Sequence, residues 1–183
     1  METKQTNSDS ISDVIKKRQR QTTVRAGYRN LILRVAVLAV AGWLLFTQVF
    51  LLARTNGNDM FPAIKDGDLL IAFRLQQSFI KDDVVVFTQD DTKRVGRLVA
   101  DEGDTVSMDD SGTLLVNGTV QAGEIVYPTY AKETLSYPYQ VPEGHVFLLG
   151  DHRPQATDSR DFGAVPKHRI EGKVITLFRR RGL

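Results

Sequence analysis

The sequence predicts a mainly antiparallel, all-β domain that follows one N-terminal transmembrane helix. Three observations lead to this prediction. The first is an apolar run without any charge over residues 35–53. The second is a series of short segments after Arg54 that are rich in β-branched and aromatic residues, as strands are. The third is the presence of turn sequences between those segments, such as Asn117-Gly118, which is typical of a type I′ hairpin turn.

The apolar run is 19 residues long, which fits the roughly 17–25 residues that a helix needs to cross a bilayer. The 183-residue chain has a formal net charge of only +2, yet residues 1–34 contain eight basic and three acidic side chains. This basic excess before the span places the N-terminus in the cytoplasm. A buried soluble helix is less compatible with so long a run, and a cleaved signal peptide has a shorter apolar core of about 7–15 residues.

The prediction therefore divides the chain into three parts. Residues 1–34 form a basic cytoplasmic tail, residues 35–53 a transmembrane helix in contact with membrane lipid, and residues 54–183 an extracellular β domain. The protein is then a single-pass type II protein of the cell membrane.

The outer domain contains seven predicted strands, at residues 69–73, 84–88, 94–99, 105–108, 113–116, 146–149 and 173–179. Turns are predicted at residues 109–112 and at Asn117-Gly118. Residues 121–144, which contain four tyrosines and three prolines, interrupt this series. They form either a functional lid or an ordinary loop packed by its aromatic side chains.

The composition argues against several kinds of chemistry. There is no cysteine, so disulfides, thiolate nucleophiles and cysteine-ligated zinc are excluded. The three histidines, His145, His152 and His168, are not spaced like a metal-binding pair. We therefore expect no metal and no cofactor. The formal net charge of only +2 argues against a nucleic-acid partner as well. A catalytic triad of Ser159, His152 and an aspartate is conceivable, but nothing in the spacing identifies an oxyanion hole.

Four segments, in order along the chain, resemble the signature boxes of a known family. The last, at residues 150–163, resembles the GDNRxxSxDSRxxG box of type I signal peptidases, and its matching residues are Gly150, Asp151, Arg153, Asp158, Ser159, Arg160 and Gly163. Residues 57–62 resemble the nucleophile box GxSMxP, with Gly57, Met60 and Pro62 retained. Residues 81–87 and 97–104 resemble the two boxes between them. The chain thus resembles the type I signal peptidases of Gram-positive bacteria, and Pro62 and the matching residues of the last box are expected to be structural.

The departures from the family pattern concern the catalytic dyad that the resemblance implies. Asp59 occupies the position of the serine nucleophile, and Gly96, counted back without gaps from Gly103-Asp104, occupies that of the lysine base. Glycine has no side-chain group that could accept a proton. A carboxylate that attacks a peptide carbonyl forms a high-energy anhydride. We therefore expect a protein that is not an enzyme and has no catalytic residue.

An active membrane-bound endopeptidase with a rearranged or aspartate-based mechanism is the alternative. An insertion would align Lys93 with the missing base. Otherwise, Asp59 would share a proton with Asp151 or Asp158.

The resemblance also implies a peptide-binding cleft, in which an extended peptide is held by strand addition. Its residues here are Thr55, Asn56, Gly57, Asn58, Asp59, Met60, Arg94, Val95 and Gly96. Main-chain pairing does not need catalytic side chains, so binding can persist without them. We expect the missing lysine side chain to leave space in which Asp59 pairs with a basic side chain of a partner.

The combination of Asp59 and Gly96 is similar to that of signal peptidase-like proteins from Gram-positive pilus clusters. That resemblance implies an assembly factor or chaperone in sortase-dependent pilus polymerisation, with pilin subunits or the pilus sortase as partners.

Overall fold

The computed structural model describes residues 27–76, 78–121, 125 and 127–179, and the predicted tail at residues 1–26 lies outside them. The described residues divide into two units, with the boundary between Thr47 and Gln48. Helix α1, Gly27–Val49, has 23 residues and is long and apolar enough to cross a membrane. At 1.5 Å per residue it is about 35 Å long.

The helix ends at Val49, four residues before the predicted end of the span. Residues Phe50–Arg54 form strand β1 instead. Leu51 and Ala53 are buried, whereas Leu52 and Arg54 are exposed, which is the alternation of a strand. A continuous apolar run cannot distinguish helix from strand by periodicity, so the sequence did not reveal this boundary.

The described residues of the second unit form two antiparallel sheets, which confirms the predicted fold class. The strands are β1 Phe50–Arg54, β2 Leu69–Phe73, β3 Val84–Gln89, β4 Thr92–Ala100, β5 Thr105–Met108, β6 Leu114–Val116, β7 Thr119–Val120, β8 Tyr139–Gln140, β9 His145–Leu149, β10 Val165–Pro166 and β11 Ile170–Phe178. The larger sheet has the order β1-β2-β11-β3-β4-β9-β10 and the smaller one β7-β6-β5-β8.

Each of the seven predicted strands overlaps an observed one. The sequence did not predict β1, the two-residue strands β7, β8 and β10, the short helix α2 at Ser159–Phe162, or the 3₁₀ turn at Lys167–Arg169. Two-residue strands carry no periodic signal, because pairing with distant residues defines them. The predicted turn at Asn117-Gly118 is confirmed, since both residues have positive φ, 51° and 76°.

Strand β9 lies between two hydrophobic clusters. Phe147 and Leu149 pack into a cluster with the small sheet, whereas Val146 and Leu148 pack on the other side against residues of β3 and β4. All four side chains are completely buried. Because both faces of β9 are packed, the loop that begins at Gly150 starts from a rigid position.

Candidate functional site

Asp59 lies in the turn between β1 and β2, against the loop that follows β9. Its backbone carbonyl accepts a hydrogen bond from the N–H of His152 at 2.9 Å. A Cβ atom on Gly150 would lie 2.6 Å from the same carbonyl oxygen and 2.3 Å from Cβ of Ala156. The absence of a side chain at Gly150 therefore allows the two segments to meet.

One edge of β4 borders this turn. Residues Thr92–Arg97 pair with β3, but β9 pairs with β4 only from Arg97 onward. Within the described part of the chain, residues 92–96 therefore have no strand on their other side. In an antiparallel pair every second residue directs its N–H and C=O away from the partner strand. Counted from the two-residue turn Asp90–Asp91, which has positive φ at both positions, these are Lys93 and Val95.

A pocket lies between this edge and the turn. Its apolar lining comes from Ala53, Met60, Ile64, Val86 and Val95, and its polar rim includes Thr55, Asn56, Gly57, Asp59 and Arg94. Seven of the nine predicted cleft residues therefore line it. The other two, Asn58 and Gly96, do not.

The Asp59 carboxylate is half-buried among charged groups. Burial raises the pKa of Asp59, and this effect outweighs the opposing effects of the Arg94 guanidinium, of the backbone N–H of Thr157 and of the Lys132 ammonium. Asp158 raises the pKa further. The Arg94 guanidinium is 3.8 Å away, measured from Nη1 to Oδ2, which is too far for a hydrogen bond. Arg94 Nε is buried and has no hydrogen-bond partner among the described residues, so this guanidinium has donor capacity to spare.

Gly96 does not leave the expected space beside Asp59. A Cβ atom there would lie 3.2 Å from the Phe87 ring and 3.3 Å from Cβ of Leu148. Gly96 is therefore buried under these two side chains. The expectation fails because β3 and β9 supply side chains that cover this position of β4.

The residues of the last box form a buried hydrogen-bonded network. Both oxygens of Asp158 accept bonds from Arg160, at 2.9 Å from Nε and 2.8 Å from Nη2. The same carboxylate caps α2 and accepts the N–H of Gly150. Ser159 is completely buried, and its hydroxyl oxygen accepts the N–H of Leu148, which leaves it inaccessible as a nucleophile.

Two further box residues hold neighbouring segments. Asp151 accepts two hydrogen bonds from Arg97 of β4, at 2.8 and 2.7 Å. Arg153 donates to the carbonyl of Gly150 and to the hydroxyl of Thr129. The contacts of Asp151 and Arg153 join the last box to the large sheet and to the tyrosine-rich segment.

Pro62, which was also expected to be structural, lies exposed in the turn after Met60.

The positions of the side chains give little support to the alternative mechanisms, in which Lys93 replaces the missing base or Asp59 shares a proton with Asp151 or Asp158. Lys93 points to β11, where its Nζ lies 2.7 Å from Oε2 of Glu171. Asp158 is occupied by Arg160, and Asp151 by Arg97. None of these groups is arranged to replace the missing base beside Asp59.

Lys132, the one basic residue in residues 121–144, was not predicted to lie at the site. Its Nζ donates to the carbonyl of Ala156 at 2.8 Å and to Oδ2 of Asp161 at 2.6 Å. The described part of this segment is also tied to the box through Thr129 and through the carbonyl of Tyr130, which accepts from Arg160. The isolation of Lys132 in a tyrosine- and proline-rich stretch is the signal that could have identified it.

The chain matches the family model described as signal peptidase, peptidase S26, over residues 28–178. This chain belongs to the signal peptidase S26 family. A similar protein is signal peptidase I of Bacillus licheniformis, which is 31% identical over 138 residues that cover 67% of this chain and 73% of that protein. A crystal structure of signal peptidase I from Enterococcus faecalis is 31% identical, with a TM-score of 0.46, and covers 54% of this chain and 97% of that one.

A probable thylakoidal processing peptidase 2 of Arabidopsis thaliana is 34% identical over 159 residues, which cover 78% of this chain. The chain spans 42% of the length of that relative and 38% of the length of thylakoidal processing peptidase 1.

These relatives contradict the prediction that the chain is not an enzyme, and we withdraw it. The relatives are named as signal peptidases and processing peptidases. The prediction rested on the two dyad positions alone, whereas the site also contains the guanidinium of Arg94, the amine of Lys132 and a carboxylate of raised pKa. Asp59 and Gly96 still occupy the positions at which the family resemblance places the serine and the lysine, but these two residues alone do not decide whether the chain has peptidase activity.

Proposed function

We propose that this signal peptidase family protein binds an extended segment of an exported polypeptide by strand addition, at the outer face of the membrane. The observation that carries the proposal is the unpaired edge of residues 92–96 beside the turn that contains Asp59. A bound segment would pair with the main chain of Lys93 and Val95, which face that edge.

The lining of the pocket indicates what the segment presents. Met60, Val86 and Val95 offer an apolar surface for a small aliphatic side chain. Asp59 and Arg94, at the rim, form a long and partly exposed ion pair. A basic side chain of the segment would pair with the Asp59 carboxylate, and a main-chain carbonyl would accept a hydrogen bond from the partly exposed guanidinium of Arg94.

The partner that we propose is a pilin subunit or the pilus sortase. The support is the combination of Asp59 and Gly96, which is similar to that of the pilus-cluster proteins. In this role the chain serves as an assembly factor or chaperone in sortase-dependent pilus polymerisation, anchored in the cell membrane by α1 with its β domain outside.

Cleavage of the bound segment is a second candidate function, favoured by the names of the relatives. The raised pKa of Asp59 suits it to act as a general base. It would take a proton from water as the water oxygen bonds to the scissile carbonyl carbon. The carbon–nitrogen bond then breaks and the proton passes to the leaving amine, giving a carboxylic acid and an amine.

One experiment tests binding and cleavage together. The full chain in detergent micelles is mixed with synthetic peptides that span the signal-peptide region of a pre-pilin, and binding and products are followed by fluorescence anisotropy and mass spectrometry. Val95→Pro removes the N–H that faces the free edge, and we expect it to weaken peptide binding at least tenfold relative to the matched control Val95→Ala. Equal binding by the two variants would contradict strand addition.

In the same assay, Asp59→Asn distinguishes the two candidates. If the chain cleaves the peptide through Asp59, the variant loses the products while the affinity changes less. If the chain only binds, the wild type yields no products and Asp59→Asn weakens the binding of peptides with a lysine near the pocket.

A further inference from the structure

A second pocket, of about 330 Å³, lies where the last box meets the tyrosine-rich segment and the small sheet. The N–H of Thr129 donates to the carbonyl of Gly112 at 2.8 Å, which holds the tyrosine-rich segment against the turn before β6. None of the described residues that line this second pocket lines the pocket beside Asp59. Its walls include Val99 of β4, Leu114 of β6, Pro128 and Thr129 of the tyrosine-rich segment, and Arg153 of the last box.

Arg153 brings a buried positive charge to the second pocket, since only 4% of the residue is exposed. Asp151 and Asp158 are the carboxylates whose charges act on it. Each is already paired, Asp151 with Arg97 and Asp158 with Arg160. Within the described part of the chain, no carboxylate therefore forms an ion pair with Arg153. Burial lowers the pKa of Arg153 to about 10, so the guanidinium is still charged at neutral pH. A buried charge without a counterion is unfavourable, so an anion that enters the pocket is stabilised by it.

The hydrogen bonds of Arg153 leave two donors for a ligand. Its Nε donates to the carbonyl of Gly150 at 2.8 Å, and its Nη1 donates to the hydroxyl oxygen of Thr129. The third nitrogen, Nη2, has no acceptor among the described residues, and neither does the hydroxyl proton of Thr129. A ligand in the pocket can therefore accept hydrogen bonds from both the guanidinium and the hydroxyl.

We propose that the second pocket binds an organic monocarboxylate with a small aliphatic body. The N–H of Arg153 and the O–H of Thr129 are donors that suit the two oxygens of a carboxylate. The buried side chains of Val99 and Leu114, together with Pro128, offer an apolar surface for the rest of the ligand.

The charges of the lining favour a ligand with a single negative charge. Lys81 and Asp82 are both exposed and offset each other, and Arg97 is neutralised by Asp151. Arg153 is left as one uncompensated charge, so a dianion such as phosphate would bring a second charge into the pocket without a partner. The C-terminus of a peptide and a free aliphatic acid both present one carboxylate beside an apolar group, and they are the two sources of such a ligand.

The test is a titration of the isotope-labelled full chain in uncharged micelles, followed by nuclear magnetic resonance at the Arg153 Nε–H and the Thr129 amide. The probes are N-acetyl-leucine, which imitates a peptide C-terminus, and 4-methylpentanoate, which imitates a free acid. N-acetyl-leucinamide has nearly the shape of the first probe without its charge. We expect saturable shifts with a carboxylate probe and roughly tenfold weaker binding, or none, with the amide. The carboxylate that binds more tightly identifies the source.

Two variants connect the binding to these residues. Arg153→Met should abolish it, but this change also releases the Gly150 carbonyl and can unfold the box, so circular dichroism must show a folded variant. Thr129→Val keeps the shape of the side chain and should weaken binding roughly threefold to tenfold, because the hydroxyl is lost. Thr88→Val is the matched control. It removes a hydrogen-bonded hydroxyl of β3 outside the pocket and should leave the affinity unchanged.

The proposal is overturned if neither carboxylate shifts the signals, if N-acetyl-leucinamide binds as tightly as N-acetyl-leucine, or if inorganic phosphate binds more tightly than both carboxylates. It is also overturned if Thr129→Val binds like the wild type. The probes are too short to add as a strand to β4, and the two pockets share no described lining residue. Failure here therefore leaves the proposed strand addition untouched, and failure of strand addition leaves this result standing.

Discussion

Two aspartate–arginine pairs in this domain differ in geometry and in what they do. Asp158 and Arg160 are joined by two short hydrogen bonds, and their side chains are only 5% and 2% exposed. Asp59 and Arg94 are 3.8 Å apart and about one third exposed, and Arg94 Nε has no partner among the described residues. The first pair uses its hydrogen-bonding capacity within the fold, whereas the second retains capacity for a ligand.

The largest expected difference between the two pairs is in stability. Arg160→Met leaves Asp158 buried without its cation and should lower the free energy of unfolding by about 3–5 kcal/mol. The matched variant Arg94→Met should cost at most about 1 kcal/mol, because its ion pair is long and partly exposed. Urea unfolding of the full chain in micelles, followed by circular dichroism, measures both values. Similar losses in the two variants would show that the pairs do not differ in this way.

Two glycines provide a second comparison. Gly150 donates its N–H to Asp158, and Gly96 lies two residues after Arg94. A Cβ on Gly150 would meet the backbone carbonyl oxygen of Asp59 at 2.6 Å. A Cβ on Gly96 would come closest to two side chains, at 3.2 and 3.3 Å, and would lie at an ordinary 3.7 Å from the nearest backbone atom, the carbonyl oxygen of Leu149. Gly150→Ala should therefore destabilise the domain by about 3 kcal/mol or more, and Gly96→Ala by about 1 kcal/mol. Thermal unfolding of the two variants shows which one loses more stability, and a larger loss for Gly96→Ala would contradict the closer packing around Gly150.

The smallest expected effect concerns pH. Because the pKa of Asp59 is raised above 3.8, the folded chain binds this proton more tightly than the unfolded chain. The resulting stability is present below the ordinary pKa and is lost as pH rises through the raised value. Asp59→Asn does not titrate, so its stability relative to wild type should increase over that window and then level off.

Glu102 provides a control, because its pKa is shifted in the direction opposite to that of Asp59. A hydrogen bond from the Gly144 N–H, followed by Lys167, lowers its pKa. The stability it contributes is present above its ordinary pKa and is lost as pH falls through the lowered value. Glu102→Gln should therefore be less stable than wild type near neutral pH and approach it in acid. Unfolding curves at a series of pH values measure how the stability of each variant relative to wild type changes with pH. Changes of the same sign for Asp59→Asn and Glu102→Gln would contradict the opposite pKa shifts of the two carboxyl groups.

The sequence predicted the β domain well, because its strands carry local signals. Residues 69–73 and 105–108 match observed strands at both ends, and the Asn117-Gly118 turn follows from the positive φ that these residues tolerate. Seven of the nine residues predicted for the cleft line the pocket between β4 and the turn that contains Asp59. Whether this pocket binds a peptide stays a prediction.

The features of the fold and the site that the sequence did not predict depend on contacts between residues that are distant in the chain. The sequence did not show that Leu148 covers Gly96, nor that Lys132 reaches Ala156 across 24 positions. It also missed the boundary at Phe50, because an apolar run suits both a membrane helix and a buried strand. Such features are set by packing rather than by local pattern.

Strand addition of a polypeptide segment to the free edge of β4 can be observed directly. The most direct measurement is amide hydrogen exchange, residue by residue, in the full chain with and without a bound pre-pilin peptide. We expect the amides of Lys93 and Val95 to exchange at least tenfold more slowly in the complex, while those of Arg94 and Gly96, already bonded to β3, change little. A bound peptide that leaves Val95 exchange unchanged would contradict strand addition.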